Sequence, residues 1–358
     1  MIGKRPPNTS MRTLVHAKAI ALLLLCMLPF HVPAQSNQQT PLFSDDAPLA
    51  LRLNISIREL RKVTNDSTYM DQVQLHFQDQ SGVWDSIKVQ LRTRGHFRLK
   101  ECFFPPLRIK IKKKQARGTV FEGNKALKLV LPCYRGGNSN AYIVKEFLCY
   151  KLFETVTPYT FSTRLVELDL RDESGNKTKN HQLTAFLIED DDLVAARFGA
   201  KVRHGQTLHP LALHDTSAIR HDLFQYLISN IDWSTTHLHN EKIMLLEDPM
   251  RYVPLAYDFD QSGFVDAPYA VVRPEFGMSD VHDRVYRGFC RKDTSVVQFV
   301  RRQFLQQEEV IFEVIDSYKN RLEKKDFNSI HQFVSDFFEI MKSDKQFQSH
   351  ILDNCRTR

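Results

Sequence analysis

Hydrophobic residues change their spacing once along this chain, and that change limits the folds open to it. Up to about residue 188 they mostly alternate. "SIKVQLRTR" sets Ile87, Val89 and Leu91 against Lys88, Gln90 and Arg92, and "PPLRIKIKK" sets Leu107, Ile109 and Ile111 against Arg108, Lys110 and Lys112. A period of two is the mark of a strand with one buried face. "KALKLVLP" is apolar apart from Lys128, "NAYIVKEFLCYKLFETV" has helical spacing, and "STRLVELDLRDESGNKTKNHQLTAFLIEDDD" predicts a hairpin turning at the polar tract Asp172 to Asn180. Beyond "IEDDD" the apolar residues recur at three and four positions, in "SAIRHDLFQYLISNI", "VVQFVRRQFLQQEEVIFEVIDSYKNRL" and "FNSIHQFVSDFFEIM". Two short strands, "EKIMLL" and "RYVPLAYDFD", interrupt them across the turn-like "EDPM". The pattern predicts an α+β chain with a sheet-rich part over 53–188 and a helix-rich part over 189–358 that carries one hairpin.

The beginning is of another kind. Lys4, Arg5, Arg12 and Lys18 precede the apolar run Ala19 to Phe30, and small Ala34 precedes Gln35. This reads as an export signal over 1–34, which places the mature protein in the periplasm, at the cell surface or outside the cell. The apolar run is too short for a membrane span, which takes about 20 residues. Residues 35–52, polar and punctuated by prolines, read as a linker. Four of the 49 Lys and Arg lie before Gln35 and none of the 42 Asp and Glu does, leaving 45 against 42. A nearly neutral mature chain gives no support to nucleic acid as a partner. Five cysteines follow residue 34 with no C-x-x-C among them, so zinc is not indicated and one or two disulfides are allowed.

The end of the second short strand carries the chemistry. In "YDFDQSGF", Asp258 and Asp260 flank Phe259 directly after an apolar strand. Antiparallel pairing with "EKIMLL" brings Asn240 towards Asp258. An amide and carboxylate oxygens that leave most of an octahedron open suit Mg²⁺ or Mn²⁺ with substrate phosphates. Asp232, one loop away, is placed to orient or deprotonate a hydroxyl. Lys128, alone among Ala126, Leu127, Leu129 and Val130, needs an anionic partner if it is buried. Glu146 on the following helix is the candidate, and the pair would present an ammonium to phosphate. Lys110 is the second candidate for that role. His237 and His239, at alternate positions near "DFD", suggest instead a transition-metal hydrolase.

Strand lysine, helix glutamate, link, Asp-and-Asn loop and Asp-ended strand follow one another as in protein-kinase-like folds. "RTRGHF…PPLRIKIKKK", "RLVELDL…LTAFLIED" and "VPLAYDFD" resemble the spore-coat CotH-like kinases and, more distantly, HipA-type kinases. The resemblance covers roughly Val89 to Phe264. It implies a two-lobed kinase-like fold that uses ATP and Mg²⁺ on a protein or small-molecule acceptor. Asp258, Asn240 and Asp260 would then serve the metal, Asp232 would act as base, and Lys128 or Lys110 would hold phosphates. The sequence departs from the protein-kinase pattern in having His237 five residues after Asp232 and no G-x-G-x-x-G loop. An inactive kinase-like binding module of the cell envelope or surface is the alternative these departures leave.

Overall fold

The computed structural model describes residues 1–3, 39–65, 68–95, 97–205 and 207–357. The chain divides into two units, Met1–Asn37 and Gln38–Arg358, and the elements below belong to the second. The export segment read at 1–34 lies, but for its first three residues, outside the described residues.

The alternating half forms seven strands: β1 (Leu49–Ile55), β2 (Met70–Gln78), β3 (Trp84–Thr93), β4 (Leu107–Ile111), β5 (Ala126–Val130), β6 (Thr163–Asp172) and β7 (Lys179–Ile188). They close into a barrel in the order β1-β2-β3-β4-β5-β7-β6. Parallel pairing of β1 with β6 makes the closure, which leaves no open edge. Leu107, Ile109 and Ile111 of β4 point into the barrel core and Arg108 and Lys110 point out of it. β5 has no such alternation because both its faces are covered. Leu127 and Leu129 join the barrel core, while Val130 joins a second core built by the helices. A strand buried on both faces reads as a continuous apolar run, as here.

The tract 35–52, read as a linker, is partly structural. Leu42 and Phe43 are buried in the 3₁₀ turn Pro41–Phe43, and β1 begins at Leu49. Without β1 the barrel would not close; its Leu49, Leu51, Leu53 and Ile55 alternate with Ala50, Arg52 and Asn54, and the boundary drawn at residue 52 cuts the strand in two.

The second half begins after α1 (Phe97–Glu101) and α2 (Ser139–Val156) with α3 (Asp191–Arg197) and α4 (Asp215–Leu227). It continues through α5 (Thr294–Gln306), α6 (Glu308–Ser317) and α7 (Lys324–Lys342). β8 (Ala200–Arg203), β9 (Glu241–Glu247) and β10 (Met250–Ala256) make a separate three-stranded sheet in the order β10-β9-β8. The α+β arrangement, strands first and helices after, is therefore as the spacing predicts. α2 is buried almost all round, its Phe147 and Tyr150 both packing on Phe186 of β7. No helix among the described residues is long and apolar enough to cross a membrane.

Candidate active site

The open end of the β9–β10 hairpin forms the floor of a cleft. Pairing runs to Glu241 opposite Ala256, and one step further the Tyr257 N–H donates to the Asn240 carbonyl at 3.1 Å. Asn240 and Asp258 thus leave adjacent strand ends together. Both take left-handed backbone, with φ of 51° and 65°. Asn and Asp tolerate this best among residues with a Cβ, yet it still costs on the order of 1–3 kcal/mol and needs surrounding structure to hold it. The Asp258 N–H donates to the Tyr150 hydroxyl of α2 at 2.9 Å. Phe259 is fully buried, with ring centroids 4.7 Å from Tyr150 and 5.7 Å from Phe224. Burial of that ring anchors the two aspartates on either side of it.

The loop between α4 and β9 supplies the third acid. The Asn240 side-chain N–H group donates to the Asp232 carbonyl at 2.7 Å and to its carboxylate at 3.0 Å, which leaves Asn240 Oδ1 for another partner. Asp232 Oδ1 lies 3.3 Å from His239 Nε2 and 3.7 Å from the Arg273 guanidinium. Below the loop, Arg287 donates to the carbonyls of Ile231 and Trp233, and Thr235 donates to the buried Glu241 at 3.1 Å. Burial pushes the Glu241 carboxyl up to about 7, against the pull of His221.

The roof comes from the segment between β3 and β4. Arg94, Gly95, Phe97 and Arg98 face Asp232, Asn240, Asp258 and Asp260 across a cleft of about 400 Å³. Arg98 is buried. Its guanidinium lies 3.5 Å from Glu146 and 3.8 Å from Asp260, and donates to the Leu131 carbonyl at 2.5 Å. The Cys102–Cys133 disulfide staples the end of α1 to the segment holding Leu131, and so fixes Arg98 in place. Burial opposes the Arg98 charge, but Tyr269, Glu146, Asp260 and Asp258 around it more than compensate and raise its pKa. Burial pushes Glu146 well above the carboxylate range despite Arg98. Asp260 rises to about 6 through burial and the neighbouring Asp258, opposed by Arg98 and a Tyr269 hydrogen bond. Arg94 has no carboxylate paired to it among the described residues.

The expected pair of Lys128 with Glu146 is not formed; Arg98 takes the place beside Glu146. Strand register puts Lys128 on the outer face of the barrel, where its ammonium sits 4.5 Å from the Phe161 ring and 4.8 Å from Tyr257, with no hydrogen-bond partner. Burial, with Arg94 nearby, lowers it to about 7. Tyr257 belongs both to this pair of rings and to the cleft lining. Lys110 lies elsewhere on the barrel, 4.2 Å from the Tyr69 ring.

His237 lies in a turn and His239 in the isolated antiparallel bridge to Ser234 that closes it, neither on a strand of a sheet: the His237 ring meets Ser234 at 3.1 Å, while His239 turns to Asp232. Among the described residues no group of three or more His, Cys, Asp and Glu side chains is arranged to hold a metal ion. Asp260 is turned to Arg98 and Tyr269, so Asn240 Oδ1 and Asp258 are the oxygens best placed for a hard cation, a donor set that fits Mg²⁺ with substrate oxygens and waters completing the shell. Arg94, Arg98 and Tyr269 are the site residues that sequence spacing did not single out. The signal for Arg98 was faint, a cation between Phe97 and Leu99 four residues before Cys102.

Compared with models of protein families and with curated proteins, the chain gives no match.

Proposed function

We propose that this chain is an exported, CotH-like phosphotransferase of two-lobed, kinase-like design that moves the γ-phosphoryl group of ATP to a hydroxyl acceptor with Mg²⁺ or Mn²⁺. The observation that carries the reading is the gathering of Asp232, Asn240 and Asp258 on one wall of a cleft whose opposite wall is Arg94 and Arg98. Oxygens on one side and guanidinium groups on the other suit a metal-bound polyphosphate, since phosphoryl transfer depends mainly on positioning and charge stabilisation.

Each residue has a distinct part. Arg94 holds phosphate oxygens, for which a planar guanidinium is well shaped. Asn240 Oδ1 and Asp258 hold the cation, which when bound neutralises the phosphates. Asp232, positioned by Asn240, accepts the proton of the acceptor hydroxyl. Arg98 keeps Glu146 and Asp260 compensated within the wall of the site. In this reading the expected phosphate lysine is replaced by Arg94 from the β3–β4 segment.

ADP release and transfer of labelled phosphate are to be followed with Mg²⁺ and ATP in the wild type and in Asp232→Asn. Loss of a general base costs about 10²–10⁴-fold in rate, with nucleotide affinity retained. A wild type that binds no nucleotide, or a variant as fast as the wild type, counts against the proposal.

A further inference from the structure

The outer face of the barrel carries a strip of cations that runs into the cleft. On β3 and beyond it, Lys88, Arg92 and Arg94 share the face opposite to buried Ile87, Val89 and Leu91, and on β4 Arg108, Lys110 and Lys112 face the same way. The strands pair with Arg92 opposite Arg108 and Gln90 opposite Lys110, so the charges form a double row. From Lys88 to Arg94 the row is about 20 Å long at 3.3–3.4 Å per residue. Its far end is a hollow of about 150 Å³ lined by Lys88, Lys110, Lys112 and Lys114 together with Gln72 and Gln90. Those four lysines pair with no carboxylate among the described residues, while Arg108 is paired with Asp190 at 2.5 Å. Its near end, Arg94, lines the candidate active site.

In a chain whose charges nearly balance after residue 34, four lysines on one face with no carboxylate partner among the described residues mark a surface for an anion. We infer that this strip seats an extended acidic polypeptide, which delivers its hydroxyl-bearing residue into the cleft as the phosphoryl acceptor. Only the acceptor role rests on the phosphotransferase reading; the docking surface does not. Cations two residues apart on a strand repeat every 6.6–6.8 Å or so, the same interval as same-side side chains of an extended peptide. Gln72 lines the hollow with an amide group for its backbone, while the Gln90 amide is already held by Asp71 of β2. Single-stranded nucleic acid is disfavoured because it binds on free aromatic faces, and the rings on this side, Tyr69 and Trp84, are already stacked under Lys110 and Arg52.

The test uses the purified protein and a fluorescent peptide of about eight glutamates ending in Gly-Ser. Fluorescence anisotropy reads binding, and labelled ATP with Mg²⁺ reads transfer to the serine. Replacing the four lysines together (K88Q, K110Q, K112Q and K114Q) is expected to weaken binding roughly tenfold or more, from four screened charge contacts. Added salt should weaken the wild-type complex over the range in which the Debye length falls below about 10 Å. D258N should bind the peptide as the wild type does and transfer nothing to it. K324Q, K325Q and K345Q together, which remove cations from the C-terminal helices, should leave binding unchanged. Equal binding by the quadruple variant overturns the docking surface. So does an oligonucleotide of equal charge, or a vesicle of anionic lipid, that binds as tightly and depends on the same lysines. Peptide bound through the strip but left unphosphorylated, while ATP is otherwise turned over, overturns the acceptor role alone; absence of any turnover counts against the phosphotransferase reading and leaves the surface standing.

Discussion

Arg98→Met removes the cation from a buried acidic cluster, and the loss it causes is expected to depend on pH. Arg98 stands 3.5 Å from Glu146 and 3.8 Å from Asp260, with the three residues 6%, 2% and 4% exposed. Removing one partner of a buried ion pair typically costs about 3–5 kcal/mol because the other charge stays behind uncompensated. Part of that, about 1–3 kcal/mol, belongs to the Leu131 carbonyl, which loses its donor whatever the pH. The rest comes from the carboxylates. Both acids already have folded-state pKa values above their ordinary ones, chiefly through burial, and Arg98 is what restrains them. An acid whose pKa is raised by folding binds more protons in the native state, so stability falls as pH rises from the unfolded value towards the folded one. For Asp260 that window runs from about 3.9 when unfolded to about 6, and without Arg98 it extends upwards. Urea unfolding at pH 8 should therefore show the full loss, and at pH 5 a smaller one. Glu146→Gln added to Arg98→Met should recover part of the loss at pH 8, since a neutral amide has no charge to strand. An equal loss at both pH values, with no recovery from Glu146→Gln, would refute the idea that Arg98 serves to compensate buried carboxylates.

Lys128→Met should tell the opposite story. The folded-state pKa of this amine is depressed to about 7, chiefly by burial, so the penalty for its charge is full below pH 7 and vanishes above the unfolded value of about 10.4. Wild-type stability should gain from this group as pH rises from 7 towards 10, by at most about 1.4 kcal/mol per pH unit, and the methionine variant should lack that gain in urea melts. The cysteines give a third check. With Cys102–Cys133 and Cys290–Cys355 joined and Cys149 buried, a chain lacking residues 1–34 should show no thiol to Ellman's reagent when native and one when denatured without reductant; three or more would exclude at least one bridge.

How much of this could be read in the sequence depended on whether a residue's role was local. β3 and β4 alternate because each has one face in the barrel core, and the alternation is plain in Ile87 to Leu91 and Leu107 to Ile111. Asn240 and Asp258 meet because a short hairpin fixes its own register, and Phe259 shows its anchoring role by being aromatic between two acids. What spacing could not give was the partner of a buried charge. Lys128 and Glu146 are near in sequence and each needs compensation, yet Arg98, brought in from the β3–β4 segment and held by a disulfide, takes the glutamate. β1 was cut at residue 52 because the polar, proline-punctuated lead-in before it was carried into an alternating stretch, and its pairing with β6, more than a hundred residues on, cannot be read locally. The two histidines were misplaced because Leu238 between them, with φ of 50°, turns a stretch that otherwise alternates like a strand.

The most direct test of the phosphotransferase reading is the thermal unfolding of the wild type and Asp258→Asn, each with and without Mg²⁺ and ATP. Ligand at a hundredfold excess over Kd stabilises a native protein by about 2.7 kcal/mol, and the wild type should gain that much from Mg²⁺ with ATP together. Asp258→Asn should lose the gain while remaining at least as stable as the wild type without ligand, because it relieves repulsion between Asp258 and Asp260. A variant that keeps its full ligand shift, or a wild type that shows none, would contradict the assignment of Asp258 to a metal–nucleotide site.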